Sequence, residues 1–299
     1  MKLINKEGKV LVRILTSLVG IPLAIALIIW PGGQPFNIAI CLLVVLAILE
    51  MLLMFARSGN GLSLRPNLIA AALGAVFVAF CWRDPLGLIN TWFGTAFTIG
   101  LISAFVWEFP AAIRREPGGA VRNVAFGLFT GLYVGFFYFF LIQLRGDPTW
   151  SGQISLIPDR LIDKGAAIVL LLFVTVWAGD TAAYFIGTRY GKRKLAPAIS
   201  PNKTVEGALA NLLACTIVGS LMANWIGISW DHGLALGMTI GIFGQIGDLF
   251  ESLIKREAGV KDSGQLFPGH GGVLDRFDAV MIAAPLVYYY LIWTHALAQ

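Results

Sequence analysis

Long apolar segments are the feature that most constrains how this 299-residue chain can fold. A membrane-spanning helix needs about 20 mostly apolar residues. Apolar residues make up 57% of the chain and charged residues only 13%, which is more apolar surface than a soluble core can bury. We therefore predict an all-α integral membrane protein with about nine transmembrane helices, at roughly 10–30, 36–56, 67–82, 88–109, 123–144, 165–188, 206–227, 233–254 and 277–297.

The distribution of Lys and Arg predicts how these helices are oriented. Cytoplasmic loops of membrane proteins are enriched in both residues. If the N-terminus is inside, 18 of the 22 Lys and Arg residues fall on the cytoplasmic side. We therefore predict a cytoplasmic N-terminus and a C-terminus outside. The loops 189–206 and 255–276 are separated by two predicted spans, so they are expected to share the cytoplasmic face.

Polar residues concentrate in three clusters, of which the first two precede the seventh predicted helix. The stretch W-A-G-D-T-A-A-Y, residues 177–184, places Asp180 about 13 Å of helix from the inner end of its span. A carboxylate at that depth is costly, and a functional role is favoured over a buried ion pair. The stretch I-S-P-N-K-T-V-E-G, residues 199–207, offers Lys203 to a phosphate, and Thr204 or Asn202 can cap the next helix. Taken alone, the second cluster fits a basic loop with a helix cap equally well.

The third cluster, residues 247–278, is the richest in charged side chains. Asp248, Glu251, Ser252 and Lys255 follow i, i+3, i+4, i+7 spacing, which predicts one stripe along the inner end of the eighth helix. On the same side Asp275 and Asp278 begin the ninth helix, after the turn Pro268-Gly269-His270-Gly271-Gly272. A glycine-rich turn that leads into a helix N-terminus exposes backbone N–H groups, and an anion fits there.

Carboxylates beside basic residues and a glycine turn suit a metal-assisted reaction of phosphates. Mg²⁺ prefers hard oxygen ligands and usually binds one or two carboxylates together with substrate phosphates. A salt-bridged surface loop would explain the charges, but not the acidic residues set into two apolar helices. Glu50 and Glu108 also lie in or near apolar runs, where lining the same cavity and pairing with a basic residue both fit.

The stretch Ser252–Asp278 reads S-x-x-K-R-x4-K-D-x-G-x2-F-P-x-H-G-G-x-x-D-R-x-D, which resembles the phosphatidate cytidylyltransferase family, also called CDP-diacylglycerol synthases. The upstream D-T-A-A-Y-x-x-G and S-P-x-K-T-x-E-G stretches resemble it too. Together they cover roughly the C-terminal 40% of the chain, with Ala210-Asn211 departing from the glycine that members often carry. The resemblance implies transfer of CMP from CTP to phosphatidic acid, and it divides the chain into N-terminal transmembrane helices (1–122) and a C-terminal transmembrane catalytic region (123–299).

The resemblance also implies roles for individual residues. Asp248 and Asp275 would hold Mg²⁺ with Asp278 as a further ligand or nearby group, and a second cation stays open. The residues implied in catalysis are Asp248, Asp275, Asp278, Lys255 and Arg276. Those implied in substrate binding are Asp180, Tyr184, Ser200, Lys203, Thr204, Glu206, Glu251, Ser252, Arg256, Lys261, His270, Gly271 and Gly272.

The expected partners are CTP, phosphatidic acid and the lipid bilayer, with no role for nucleic acid. The expected location is the cell inner (cytoplasmic) membrane, with the active site facing the cytoplasm, and a homodimer is suggested by the resemblance alone. Two other classes of membrane protein share some of these features. A CTP-dependent lipid-alcohol kinase would share the basic loops and carboxylates but lack the long motif. An ion-coupled transporter would show discontinuous helices in two repeated halves, whereas the polar residues here crowd into the C-terminal 40%.

Overall fold

Long helices dominate the computed structural model, which describes residues 6–58, 106, 120–157, 160–267, 269 and 271–297. The helices are α1 (Lys6–Ile29), α2 (Gln34–Arg57), α3 (Ala120–Thr130), α4 (Phe137–Gly146), α5 (Lys164–Tyr190), α6 (Val205–Ile226), α7 (Trp230–Glu257) and α8 (Leu274–Thr294). A π-helical segment, Gly131–Phe136, joins α3 and α4 into one continuous helix.

Six stretches of described helix are long and apolar enough to cross a membrane: Gln34–Arg57, Val121–Trp150, Lys164–Tyr190, Val205–Ile226, Trp230–Glu257 and Leu274–Thr294. They correspond to six of the predicted spans. The first predicted span is also helical, and its apolar part, Leu15–Ile29, is shorter. The predicted spans 67–82 and 88–109 lie outside the described residues, apart from position 106. The described part of the chain is therefore that of a multi-pass membrane protein.

Two short antiparallel hairpins interrupt this helical architecture in the connecting segments. Strands β1 (Gln153–Ile157) and β2 (Arg160–Asp163) form one hairpin, and β3 (Lys194–Ala196) and β4 (Ser200–Thr204) form the other. The all-α prediction therefore holds for the spanning helices but not for their connectors, because short strands leave little periodicity in a sequence. The second hairpin pairs Lys194 with Thr204, directly before α6.

Close helix contacts bring α5, α6, α7 and α8 together in chain order. The first half of α5 is buried on all sides, so it forms the centre of the bundle. A side-chain carbon at Gly237 of α7 would lie 2.6 Å from the carbonyl oxygen of Cys215 and 2.7 Å from Cα of Thr216, both on α6. Glycine is therefore required at this crossing, as is common where membrane helices approach closely.

An ion pair at the opposite end of the bundle from the third polar cluster ties the first helices to the rest. Arg145 is buried and pairs with Asp163 at 2.9 Å. The same guanidinium donates to the carbonyl oxygens of Ile28, at 2.9 Å, and Trp30, at 2.7 Å. Both carbonyls lie at the end of α1, so α1 is fixed to the α4–α5 connection through groups that would otherwise be unpaired.

Candidate active site

The predicted polar stripe on α7 faces the protein interior. Glu251, Ser252 and Lys255 are buried, and Asp248 is half-buried at the edge of the stripe. Lys255 pairs with Glu251 one turn earlier and with Asp275 Oδ1 of α8 at 2.6 Å. A single buried ammonium therefore bridges carboxylates on two helices, which is the paired state that a charge needs away from water.

Asp275 organises the loop that leads into α8. Its Oδ2 atom accepts hydrogen bonds from the backbone N–H groups of Ser263 and Gly272, both at 2.8 Å, and from the Ser263 hydroxyl at 2.9 Å. Gly271 adopts φ +90°, and a side-chain carbon there would stand 2.5 Å from the same oxygen. Both oxygens of Asp275 are thus engaged, Oδ2 by the loop and Oδ1 by Lys255.

A second group of carboxylates lies beside this network. Asp278, Asp248 and Asp180 are close enough to repel one another electrostatically, although they come from α8, α7 and α5. The approach of α8 to α7 is possible because residue 247 is glycine: a side-chain carbon there would collide with the carbonyl oxygen of Asp278. The fold therefore brings together three acidic residues that the sequence separates by up to 98 positions.

Lys203 of β4 supplies the positive charge for this acidic group. Its ammonium lies 2.5 Å from Asp248 Oδ2, and both side chains are partly exposed. Thr204, the next residue, caps α6 by accepting the N–H of Gly207 at 3.1 Å, as predicted. Because the cap fixes the end of β4, it also fixes where Lys203 enters the site.

The remaining predicted residues of the 199–207 stretch have structural partners. Ser200 begins β4 and is half-buried. Glu206 accepts the backbone N–H groups of Lys192 at 3.0 Å and Arg193 at 3.2 Å. Arg256, at the end of α7, donates to the Ile199 carbonyl at 3.1 Å and so ties the hairpin to α7. These contacts explain how the loop is held beside the carboxylates.

Other predicted residues are more open. The side chains of Arg276 and Lys261 are exposed and form no hydrogen bond or ion pair with any described residue, although the Arg276 guanidinium lies within electrostatic range of Asp180. Tyr184 is 68% exposed, so its ring does not close the wall of a buried cavity. His270 of the glycine turn lies outside the described residues.

Glu50, for which the sequence left two roles open, lies beside the site in the structure. Glu50 Oε2 accepts the N–H groups of Val273 at 2.7 Å and Leu274 at 3.2 Å, and it lies 3.1 Å from the Ser263 hydroxyl. The signal in the sequence was a carboxylate inside an apolar helix. Such a residue indicates a functional role, but it does not indicate which groups the carboxylate contacts. Asn211 was missed as well, and its amide lies 3.4 Å from Asp180 Oδ1.

The donor set fits a hard divalent cation in part. Among the described residues, no group of three or more His, Cys, Asp or Glu is already arranged as a metal site. Within the described ranges, Asp278 Oδ1 accepts the N–H of Ala279 alone and Asp248 pairs with the Lys203 ammonium alone, so both carboxylates can turn to a cation. One or two carboxylates with substrate phosphates are what Mg²⁺ uses. Asp275 can offer only Oδ1, and only if Lys255 moves away.

The fold and the site define a membrane-embedded enzyme with lysines and aspartates gathered at one end of four packed helices. The model of the cytidylyltransferase family matches residues 11–294. The chain therefore belongs to the cytidylyltransferase family and is a nucleotidyltransferase.

Three curated relatives carry the name phosphatidate cytidylyltransferase. The protein of Synechocystis sp. is 33% identical over 296 residues, covering 94% of this chain and 96% of the relative. That of Staphylococcus epidermidis is 33% identical over 285 residues, covering 95% of this chain and 99% of the relative. That of Staphylococcus aureus strain COL is 40% identical over 172 residues, covering 57% of this chain and 60% of the relative. The similarity thus includes the N-terminal helices as well as the polar motifs.

Proposed function

We propose that this enzyme catalyses the reaction for which its relatives are named, the synthesis of CDP-diacylglycerol from CTP and phosphatidic acid. The observation that carries the proposal is the network in which Lys203 pairs with Asp248 and Lys255 pairs with Asp275, beside a glycine turn. Asp278 lies close to Asp248 in the same acidic group. The network offers positive charge for a triphosphate and a lipid phosphate, and carboxylates for a cation, within one membrane-embedded site.

In the reaction, a phosphate oxygen of phosphatidic acid attacks the α-phosphorus of CTP. A new P–O–P bond forms, the bond between the α- and β-phosphates breaks, and pyrophosphate leaves with the electron pair. Both substrates carry the reacting groups, so no covalent enzyme intermediate is needed. The protein contributes positioning and neutralisation of charge.

Lysines and arginines bind the phosphates in this proposal. Lys203 and Lys255 exchange their carboxylate partners for phosphate oxygens, and the exposed guanidinium of Arg276 forms no hydrogen bond or ion pair with a described residue. Arg256 and Lys261 lie at the rim, where they attract the nucleotide. The glycine turn at Gly271 and Gly272 lies beside the phosphates at the start of α8, and the Gly272 N–H becomes a donor to phosphate only when it leaves Asp275 Oδ2.

Mg²⁺ would be held by Asp248 and Asp278, with Asp275 Oδ1 as a further ligand. The bound ion would neutralise charge on the phosphates during transfer. Asp180 borders the acidic group on the side of α5, and the Asn211 amide holds the Asp180 carboxylate in place.

The enzyme acts in the cytoplasmic membrane with the site on the cytoplasmic side. The support for this is the Lys and Arg bias of the loops, since 18 of 22 such residues fall on one side if the chain has the nine spans predicted from its sequence. CTP then reaches the site from the cytoplasm and phosphatidic acid from the inner leaflet. A homodimer, suggested by the family resemblance, remains part of the proposal.

The test is conversion of phosphatidic acid and radiolabelled CTP by purified protein in mixed micelles, with and without Mg²⁺. We expect a labelled liponucleotide and equimolar pyrophosphate only with Mg²⁺. Asp248→Asn should lower turnover by at least about 100-fold, because one charged metal ligand is lost. Glu257→Gln, an exposed carboxylate at the end of the same helix, is the matched control and should keep wild-type turnover.

Two results would contradict the proposal. Folded protein that makes no liponucleotide from several phosphatidic acids would remove the activity itself. Asp248→Asn with wild-type turnover and an unchanged Mg²⁺ requirement would remove the metal assignment while leaving the activity in place.

A further inference from the structure

Glu50 is a carboxylate inside the apolar helix α2, in its C-terminal third. It lies seven residues before Arg57, where α2 ends, or about 10 Å along the helix. A charged side chain at such depth is costly and persists where it has a specific task. The helix around it is otherwise apolar, and Met51 beside it is completely buried.

The contacts of Glu50 are with the first turn of α8 and the loop before it. Helix N-termini leave their first N–H groups without partners inside the helix. Val273 at the start of α8 has no side-chain cap of its own. Glu50 Oε2 takes that role from another helix by accepting the N–H groups of Val273 and Leu274 at 2.7 and 3.2 Å. A negative charge at this position is also favoured by the helix dipole.

Glu50 and Asp275 are linked through Ser263. The Ser263 hydroxyl lies 3.1 Å from Glu50 Oε2 and 2.9 Å from Asp275 Oδ2, so one proton serves two carboxylates. The loop packs tightly on Glu50: side-chain carbons at Gly264 and Gly272 would both collide with its carboxylate. A change in Glu50 therefore moves the loop, the start of α8 and the side chain of Asp275 together.

We propose that Glu50 is a positioning residue for the reaction, which sets the first turn of α8 and through it Asp275 and Asp278. Its described partners are N–H and hydroxyl donors, with no lysine or arginine among them. Its role is thus to accept hydrogen bonds and not to bind phosphate. The inference rests on the proposed function for its kinetic test, while its structural test does not.

The structural test is hydrogen–deuterium exchange of the peptide that contains Val273 and Leu274, in detergent without CTP or Mg²⁺. We expect exchange at least about tenfold faster in Glu50→Ala, because both amides lose their acceptor. Glu50→Gln keeps an acceptor oxygen and should show an intermediate rate. Met51→Ala is the control, since it removes core packing from the same turn of α2 and leaves the carboxylate in place.

The kinetic test measures kcat and the KM for CTP with the same variants. We expect kcat to fall about 100-fold in Glu50→Ala and about tenfold in Glu50→Gln, with KM changed less than about threefold, since charge-assisted bonds are stronger than neutral ones. In Met51→Ala, thermal stability should fall while kcat of the folded protein stays within about threefold.

Each outcome decides the proposal. Wild-type exchange and wild-type kcat in Glu50→Ala would overturn it. So would a Glu50→Gln variant that is as inactive as Glu50→Ala but exchanges at the wild-type rate, because the loss of activity would then not arise from the position of α8. If Glu50→Ala does not fold, Glu50→Gln carries both measurements. An inactive wild-type protein would refute the proposed function alone, because the exchange measurement would still report on Glu50.

Discussion

Replacing Lys255 with methionine tests whether one buried ammonium holds α7 and α8 together. Met is close to Lys in length but carries no charge. Glu251 and Asp275 would then lose their shared cation. Water cannot replace it, because their side chains are only 2% and 7% exposed. Removing one partner of a buried ion pair costs about 3–5 kcal/mol. For a chain of this size each kcal/mol lowers the melting temperature by about 2 °C, so we expect a fall of about 6–10 °C.

The structure also predicts where that loss arises. Asp275 keeps three hydrogen bonds from Ser263 and Gly272 when Lys255 is removed. Glu251 keeps none from the part of the chain that the structure describes, because Oε1 has no hydrogen-bond partner there and Oε2 pairs with Lys255. The double variant Lys255→Met/Glu251→Leu replaces the stranded pair by apolar groups and should recover to within about 1 kcal/mol of the wild type.

The assay is the thermal midpoint at which the detergent-purified protein ceases to be monodisperse. Lys261→Met, which changes an exposed lysine in the following loop, is the control and should shift the midpoint by less than about 1 °C. If Lys255→Met melts within about 2 °C of the wild type, or if the double variant is no more stable than the single one, the buried bridge does not hold the helices together as argued.

Two further predictions concern the α6–α7 crossing and the cap of α6. Gly237→Val should lower stability by about 1–3 kcal/mol in the same thermal assay, because the new side chain meets the α6 backbone. Gly20→Ala is the control and should not lower stability, because nothing lies within 4 Å of a side-chain carbon there. Equal melting temperatures of the two variants would contradict the close α6–α7 crossing. Thr204→Ala should lower stability by about 1 kcal/mol, because α6 loses its cap. Thr204→Ser should keep the wild-type stability, because serine retains the capping hydroxyl. A serine variant as unstable as the alanine variant would exclude the capping bond as the cause.

Much of the architecture was predictable because local patterns determine it. Six predicted spans correspond to described helices, since long apolar runs in a membrane protein leave no alternative to a helix. The stripe on α7 was predicted from the 3.6-residue period alone, and Glu251 and Lys255 indeed point inward. Thr204 was recognised as a cap because a hydroxyl before a helix has a characteristic task.

The partners of the site residues were not predictable in the same way. The family resemblance implied Asp275 as a metal ligand, but only the fold reveals that one of its oxygens is used by the loop. Glu50 was left between two roles, and its actual partners are backbone N–H groups, which carry no sequence signature. The β3–β4 hairpin was missed because three- and five-residue strands have too few positions to show alternation.

The bond between Glu50 and Val273 also has a consequence for biosynthesis. The two residues are 223 positions apart, and ribosomes add about 5–20 residues per second. The carboxylate of α2 is therefore made about 11–45 s before the N–H donors at the start of α8. During that interval the growing chain carries a polar group in lipid without its final partner, and assembly of the site must wait for the last helix to insert.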